Sequence, residues 1–177
     1  MGCLVRKSQI FFLVCLVTLL SSCGFHPRGA VTLAPPLYNL YLKTPSTYGQ
    51  LAVTLKNYLT LSGVNFANSP IEATTILEIL QETTSQQMLS VSGTQLTRQY
   101  NLILTVSFQI TTPQNVTLVA PQVITETRVI TVQADQILGG SNEANNLYQQ
   151  MRQAIAYDMM NRLSSRQITS MLVAEKT

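Results

Sequence analysis

The chain has 177 residues, of which 46% are hydrophobic, and it carries 11 Lys and Arg against 8 Asp and Glu. Two of these bases, Arg6 and Lys7, lie in the segment 1–22 that we expect to be cleaved, which leaves nine bases against eight acids. This near-neutral balance does not indicate the positively charged surface that binds nucleic acid. The apolar residues are too abundant and too periodic for a disordered chain.

The N-terminal segment has the pattern of a bacterial lipoprotein signal. Ile10 to Leu20 is an uncharged run of eleven residues, whereas a helix that crosses a membrane needs about 20. The run therefore fits the apolar core of a secretory signal. Leu20-Ser21-Ser22-Cys23 resembles the lipobox, which predicts cleavage after residue 22 and a diacylglyceryl group and N-acyl chain, such as palmitate, on Cys23. The alternatives are an ordinary secretory signal and a buried N-terminal helix.

The cysteines agree with this interpretation. Cys3 and Cys15 would leave with the signal, so Cys23 is the one cysteine of the mature chain, and acylation blocks it. The mature chain therefore has no thiol for an internal disulfide or a metal site. Gly24, where Asp would favour retention in the inner membrane, points to the outer membrane. We expect no cofactor other than the covalent lipid.

Residues 23–37 contain three prolines and little periodicity, and we interpret them as a lipidated N-terminus and tether. A single domain is predicted over 38–168. It opens with a strand at Asn39–Lys43, and Thr47 and Gln50 have the spacing of a capping box. A helix follows that stops near Gly63. Its apolar face consists of Leu51, Leu55, Tyr58 and Leu59.

Three β regions come next. Thr74–Val91 ends at a Ser92-Gly93 turn. The strand after it has the clearest alternation in the chain, and a turn at 112–115 leads to a last β region at about 122–134. In the alternating strand, one parity holds Leu96, Tyr100, Leu102, Leu104, Val106, Phe108 and Ile110. This pattern predicts one buried face and one polar face.

Gly139-Gly140-Ser141 is predicted to end the sheet and cap a final helix. Residues 169–177 are expected to form a flexible tail. The apolar stripe of the helix is Leu147, Met151, Ile155, Met159 and Leu163. The order β-α-β-β-β-α predicts a two-layer α+β domain. Its four-stranded, largely antiparallel sheet would carry both helices on one face.

The residues give no grounds for an enzyme. His26 is the only histidine and lies in the proline-rich tether, where no scaffold would position it as a base. Glu78 and Glu82 are predicted to share a strand face about 13 Å apart, farther than paired catalytic carboxylates. Arg98 and Arg128 are each either simply exposed or a contact for a phosphate or carboxylate.

Four segments together resemble the LPS-assembly lipoprotein LptE family. Cys23-Gly24-Phe25-His26-Pro27-Arg28-Gly29 looks like the start of a mature family member, although Pro27 replaces the usual leucine. Leu59–Val64, Gly93–Leu102 and Glu143–Leu163 match in order. The match spans nearly the whole mature chain.

The resemblance implies a four-stranded sheet with two helices in a lipoprotein of the outer membrane that faces the periplasm. It implies a plug and assembly partner for the β-barrel LptD that binds lipopolysaccharide. Family members use bases at the hairpin tip and near the start of the last helix, but 90–94 and 138–141 contain none. Arg98 is the nearest candidate left for binding lipopolysaccharide. The alternative function is an accessory lipoprotein of an envelope phospholipid transporter.

Overall fold

The computed structural model describes residues 32–47, 49–91, 93, 97–133 and 137–174, with side chains from 142 onward in the last range. The predicted signal, Cys23 and His26 lie outside these residues. So does most of the predicted tether.

Five strands and three α-helices follow one another along the described chain. The elements are β1 (Asn39–Lys43), α1 (Gln50–Leu61), β2 (Asn65–Phe66), β3 (Thr75–Val91), β4 (Thr97–Thr111), β5 (Thr117–Gln133), α2 (Ile137–Leu163) and α3 (Arg166–Ala174). Short 3-10 turns at Pro35–Tyr38 and Pro70–Glu72 precede β1 and β3. The strands form one sheet in the order β2-β1-β3-β4-β5.

The sheet is antiparallel across its three long strands and parallel at one edge. β3 pairs with β4 and β4 with β5 in antiparallel register, whereas β1 runs parallel to both β2 and β3. The α+β class is confirmed, with one strand more than the four expected. The extra strand is β2, and two residues are too few to show an alternating pattern in the sequence.

The core lies between one face of the sheet and the helices. Leu102, Leu104, Val106, Phe108 and Ile110 are fully buried, which confirms the predicted alternation of β4. The α1 face and the α2 stripe join the same apolar cluster, so both helices cover one side of the sheet. The fully buried members of the α2 stripe are Met151, Ile155, Met159 and Leu163.

The start of α1 differs from the prediction, and its end agrees. The N-cap residue is Gly49 rather than Thr47, and no side chain caps the helix. The chain turns first, because the Gly49 N–H donates to the Ser46 carbonyl, and this delays the helix. At the other end, Gly63 has φ 87°. The Gly63 and Val64 N–H groups bond back to Thr60 and Leu59, which is a Schellman motif.

The predicted cap of the last helix was wrong. Gly139, Gly140 and Ser141 lie inside α2, which begins at Ile137. A glycine inside a helix costs about 1 kcal/mol, and the apolar stripe of α2 offsets this by its burial over several turns.

The domain also extends past both predicted boundaries. Leu33, Ala34 and Leu37 belong to the core, so the final part of the supposed tether is folded. In place of a tail from 169, α3 continues to Ala174 with Ile168 and Leu172 buried. These two residues lie four positions apart and form a helical face.

Candidate functional site

A broad uncharged surface lies on the side of the sheet away from the helices. Strand register places polar side chains of β3, β4 and β5 next to one another, as in the row Thr83, Thr105 and Thr125. We name this surface the open face. Its members are Gln81, Thr83, Ser85, Gln87, Asn101, Ile103, Thr105, Ser107, Val123, Thr125, Thr127 and Val129.

The open face offers hydrogen-bonding groups without charge. The Thr105 and Thr125 hydroxyls lie 3.2 Å apart and bond to each other. The β5 members are mostly exposed and the β4 members are half-buried. Such a surface can bind a polar partner without the cost of desolvating a charge.

One ion pair borders the open face. Lys43 Nζ lies 2.7 Å from Glu78 Oε1, and Gln109 Nε2 donates to Glu78 Oε2 at 2.8 Å. The bond from Lys43, followed by that from Gln109, holds the pKa of the Glu78 carboxyl below its ordinary value of 4.5. This carboxylate joins β1, β3 and β4 at the point where β1 ends.

Glu82 was wrongly predicted to share a face with Glu78. The register shifts between Ile79 and Gln81, so that Glu78 pairs with Gln109 of the open side and Glu82 pairs with buried Val106. The extra residue of this β-bulge reverses the side chains of β3 from Gln81 to Met88. Glu82 therefore points to the helices.

On the helix side, Glu82 binds Arg152 of α2. Arg152 Nε donates to Glu82 Oε1 at 2.6 Å, and the two side chains are 22% and 28% exposed. Nearby, the Tyr148 hydroxyl donates to the Ser85 carbonyl at 2.9 Å, and burial raises the pKa of Tyr148. These contacts fasten α2 to β3.

The pair borders a cavity of about 420 Å³ between the start of α1, β3 and α2. Thr44, Ser46, Gln50 and Gln149 also line it. Arg152 and Glu82, the charged residues of its lining, are paired with each other. None of the lining side chains is a nucleophile beside a free base. Among the residues that the structure describes, no three His, Cys, Asp or Glu side chains could hold a metal ion.

Arg98 is exposed near the far end of the long hairpin. It pairs with Val91 on one side and with Val132 on the other. It has the parity of Leu102 and Leu104, and lies beyond the part of that face that the helices bury. Among the described residues Arg98 forms no ion pair.

Arg128 lies on the same face but in a different electrostatic setting. It pairs with Leu102, and its Nη2 lies 2.7 Å from Glu126 Oε1. Because Val132 is the β5 partner of Arg98, four residues separate the two arginine positions along the sheet, about 13 Å. The structure does not combine them into one anion site.

Sequence reasoning missed the Arg152–Glu82 pair. Seventy positions separate the two residues, and only the bulge turns Glu82 toward α2. The unpaired extra residue, Leu80, is the signal in the sequence, since it interrupts the alternation of β3.

The fold and these surfaces define a small two-layer α+β domain with a polar sheet face. No helix within the described ranges is long and apolar enough to cross a membrane. A family model described as LptE, lipopolysaccharide-assembly, matches residues 37–163. The chain therefore belongs to the LptE family.

Individual relatives agree with this assignment. An LPS-assembly lipoprotein LptE of Yersinia enterocolitica is 29% identical over 111 residues, 62% of this chain and 54% of that protein. One from Pectobacterium atrosepticum is 26% identical over 110 residues, 60% of each chain. The match thus spans little more than half the length of these relatives.

A solved structure has the same fold. The crystal structure of a minor lipoprotein from Acinetobacter baumannii matches with a TM-score of 0.60 and 26% identity, covering 72% of this chain and 91% of that one. The two-layer architecture is therefore one that a lipoprotein adopts.

Proposed function

We propose that this protein is an outer-membrane lipoprotein, anchored by lipid on Cys23 and facing the periplasm. It docks in an LptD-like β-barrel, helps that barrel to assemble, and takes part in moving lipopolysaccharide to the outer leaflet. Its role is contact and not catalysis. Membership of the LptE family over residues 37–163 is the principal support.

The open face supports docking in a barrel. The lumen of an outer-membrane barrel is polar, and the open face presents hydroxyl and amide groups on three adjacent strands. A partner with hydrogen-bonding groups can satisfy these without leaving a buried charge unpaired.

Arg98 supports direct contact with lipopolysaccharide. Its guanidinium is exposed, and arginine binds phosphate through paired charge-assisted hydrogen bonds. Arg128 is a weaker candidate because Glu126 competes for its guanidinium.

The docking surface can be tested by placing a charge on it. In cells that express the full chain, Thr127→Arg should lower the amount of barrel protein that co-purifies from detergent-solubilised outer membranes, because docking would bury the new cation. Gln153→Arg adds the same charge at an exposed position of α2 and should leave recovery unchanged. Equal recovery with both variants, or a free monomer with the unaltered protein, would contradict the proposal.

Lipid binding needs a separate test. Arg98→Ala should weaken binding of purified lipopolysaccharide without lowering the melting temperature, because the side chain is exposed. Arg162→Ala removes an exposed arginine from α2 and serves as the control. Unchanged binding by Arg98→Ala would eliminate this role.

Depletion distinguishes the proposal from phospholipid transport. Loss of surface lipopolysaccharide is expected here. An altered phospholipid balance with normal lipopolysaccharide would favour an accessory of a phospholipid transporter.

A further inference from the structure

One end of the domain gathers the segments nearest the N-terminus of the chain. The β1 residue Leu40 pairs with both Phe66 and Thr75, and Ile76 pairs with Thr111, so these strand ends lie together. We name this the anchor end. It consists of residues 32–38, 61–74, 112–117 and α3.

The anchor end exposes large apolar side chains. Leu61 at the end of α1 is 85% exposed, and Ile71 in the turn before β3 is 88% exposed. These are the two highest values among the exposed large hydrophobics of the described residues. Val116 and Val173 are about half exposed at the same end.

Few charged groups lie at this end, although the Lys56 ammonium of α1 is 5.4 Å from the ring centroid of Phe66. Within its described segments, the charged residues are Glu72 and Arg166. A surface with protruding apolar side chains and few charges can enter the boundary between lipid headgroups and acyl chains, at a depth of about 5–10 Å.

Chain continuity identifies the lipid surface as the occupant. Thr32, the first described residue, follows Cys23 by nine positions, a maximum reach of about 30 Å. Thr32 to Pro35 line a groove of about 490 Å³ together with Arg166 and Thr169 of α3. The chain therefore enters the domain at the anchor end.

We propose that the anchor end rests on the membrane and inserts Leu61 and Ile71 into its headgroup region. The inference depends on the lipid anchor at Cys23 that forms part of the proposed function. The membrane would contact the domain at this apolar end, and the tip of the long hairpin lies at the opposite end of the sheet. Met88 lies twelve strand residues beyond Ile76, about 40 Å along the sheet.

Tryptophan fluorescence can test this contact, since the sequence contains no tryptophan. The full lipidated chain is reconstituted in phosphatidylethanolamine and phosphatidylglycerol vesicles with brominated acyl chains. Ile71→Trp and Leu61→Trp should each show blue-shifted emission with roughly two-fold quenching, as expected for a probe near the acyl boundary. Met88→Trp, at an exposed position (60%) of the far end, should show neither effect.

The outcomes separate the two proposals. Suppose that the Ile71→Trp and Leu61→Trp variants both float with the vesicles and yet show unquenched emission. That result would support the lipid anchor and overturn the inference. Failure to float would overturn the inference together with the anchor. Circular dichroism of each variant confirms that a lack of quenching does not come from unfolding.

Discussion

Arg152 and Glu82 connect α2 to β3 on the other side of the core. Each side chain is less than a third exposed, so solvent screens the pair less than a surface ion pair. Its distance of 2.6 Å is that of a charge-assisted hydrogen bond. The pair fixes where α2 lies along β3.

A double-mutant cycle should detect this contact. Glu82→Gln, Arg152→Met and the double variant should give a coupling free energy of about 1 kcal/mol in urea unfolding. Glu126→Gln with Arg128→Met forms a matched cycle at a more exposed pair. Equal coupling in the two cycles would show that the greater burial of Arg152 adds nothing to the interaction.

Glu78 should make stability depend on pH in the acid range. Its pKa is lowered in the folded state by Lys43 first and Gln109 next. Its contribution is therefore fully present above the ordinary value of 4.5 and is lost as pH falls through the lower folded pKa. Glu78→Gln should flatten the decrease in melting temperature below that pH. An unchanged slope would contradict the assignment.

At the scale of elements, α1 ends by a device that depends on one backbone conformation. Gly63 at φ +87° lets the Schellman hydrogen bonds close, and the nearest atom to an added Cβ would be Tyr38 Cε1 at 3.6 Å. Space is therefore adequate, and only the backbone angle disfavours a side chain.

Gly63→Ala should lower the free energy of unfolding by about 1 kcal/mol because alanine resists positive φ. Gly63→Asn should lower it less, since asparagine tolerates this conformation. Chemical denaturation measures both. Equal losses would indicate steric conflict and not backbone strain.

The β-bulge at Leu80 is a second device at this scale. Because of the bulge, one side of β3 carries core residues before Gln81. The same side carries residues that contact α2 after Gln81. Leu77 and Ile79 face the core, and Glu82 then reaches Arg152 on that face. Without the bulge, Glu82 would point to the open face and leave Arg152 unpaired.

At the scale of the whole molecule, α3 completes the core. Leu172 is 3% exposed and belongs to the main apolar cluster, whereas its neighbour Val173 is half exposed. The C-terminal helix is thus part of the domain.

Leu172→Ala should reduce the free energy of unfolding by about 2–4 kcal/mol through loss of buried contacts and a residual cavity. Val173→Ala should change it by less than about 0.5 kcal/mol. Thermal or urea unfolding of both variants measures these changes in the free energy of unfolding. Similar small effects would mean that α3 contributes little to the core.

Much of this fold could be predicted from local patterns. The alternation in β4, the four-residue repeat of α2 and the glycine stop of α1 each depend on residues close in sequence. Helix starts were less predictable. Thr47 has the chemistry of a cap, but the turn around Ser46 moved the start of α1 to Gln50.

The candidate site was predictable in composition and not in geometry. The sequence indicated a polar strand face, and it showed that Arg98 is the base nearest to the hairpin tip. Whether a base is free or paired depends on its neighbours in space. Glu126 forms an ion pair with Arg128 two positions away in the sequence, whereas Glu82 forms one with Arg152 seventy positions away.

By itself, the sequence determined the α+β class, the buried and polar faces of the sheet and the resemblance to the LptE family, because periodicity and ordered motifs are local properties. The lipidation of Cys23 remains a prediction from the sequence. Only the tertiary structure decided the fifth strand, the folded C-terminal helix, the turn of Glu82 toward Arg152 and the grouping of exposed apolar residues at the anchor end. These depend on strand register and on contacts between distant segments, since one extra residue in β3 reverses the side chains that follow it as far as the second register shift, between Met88 and Ser90.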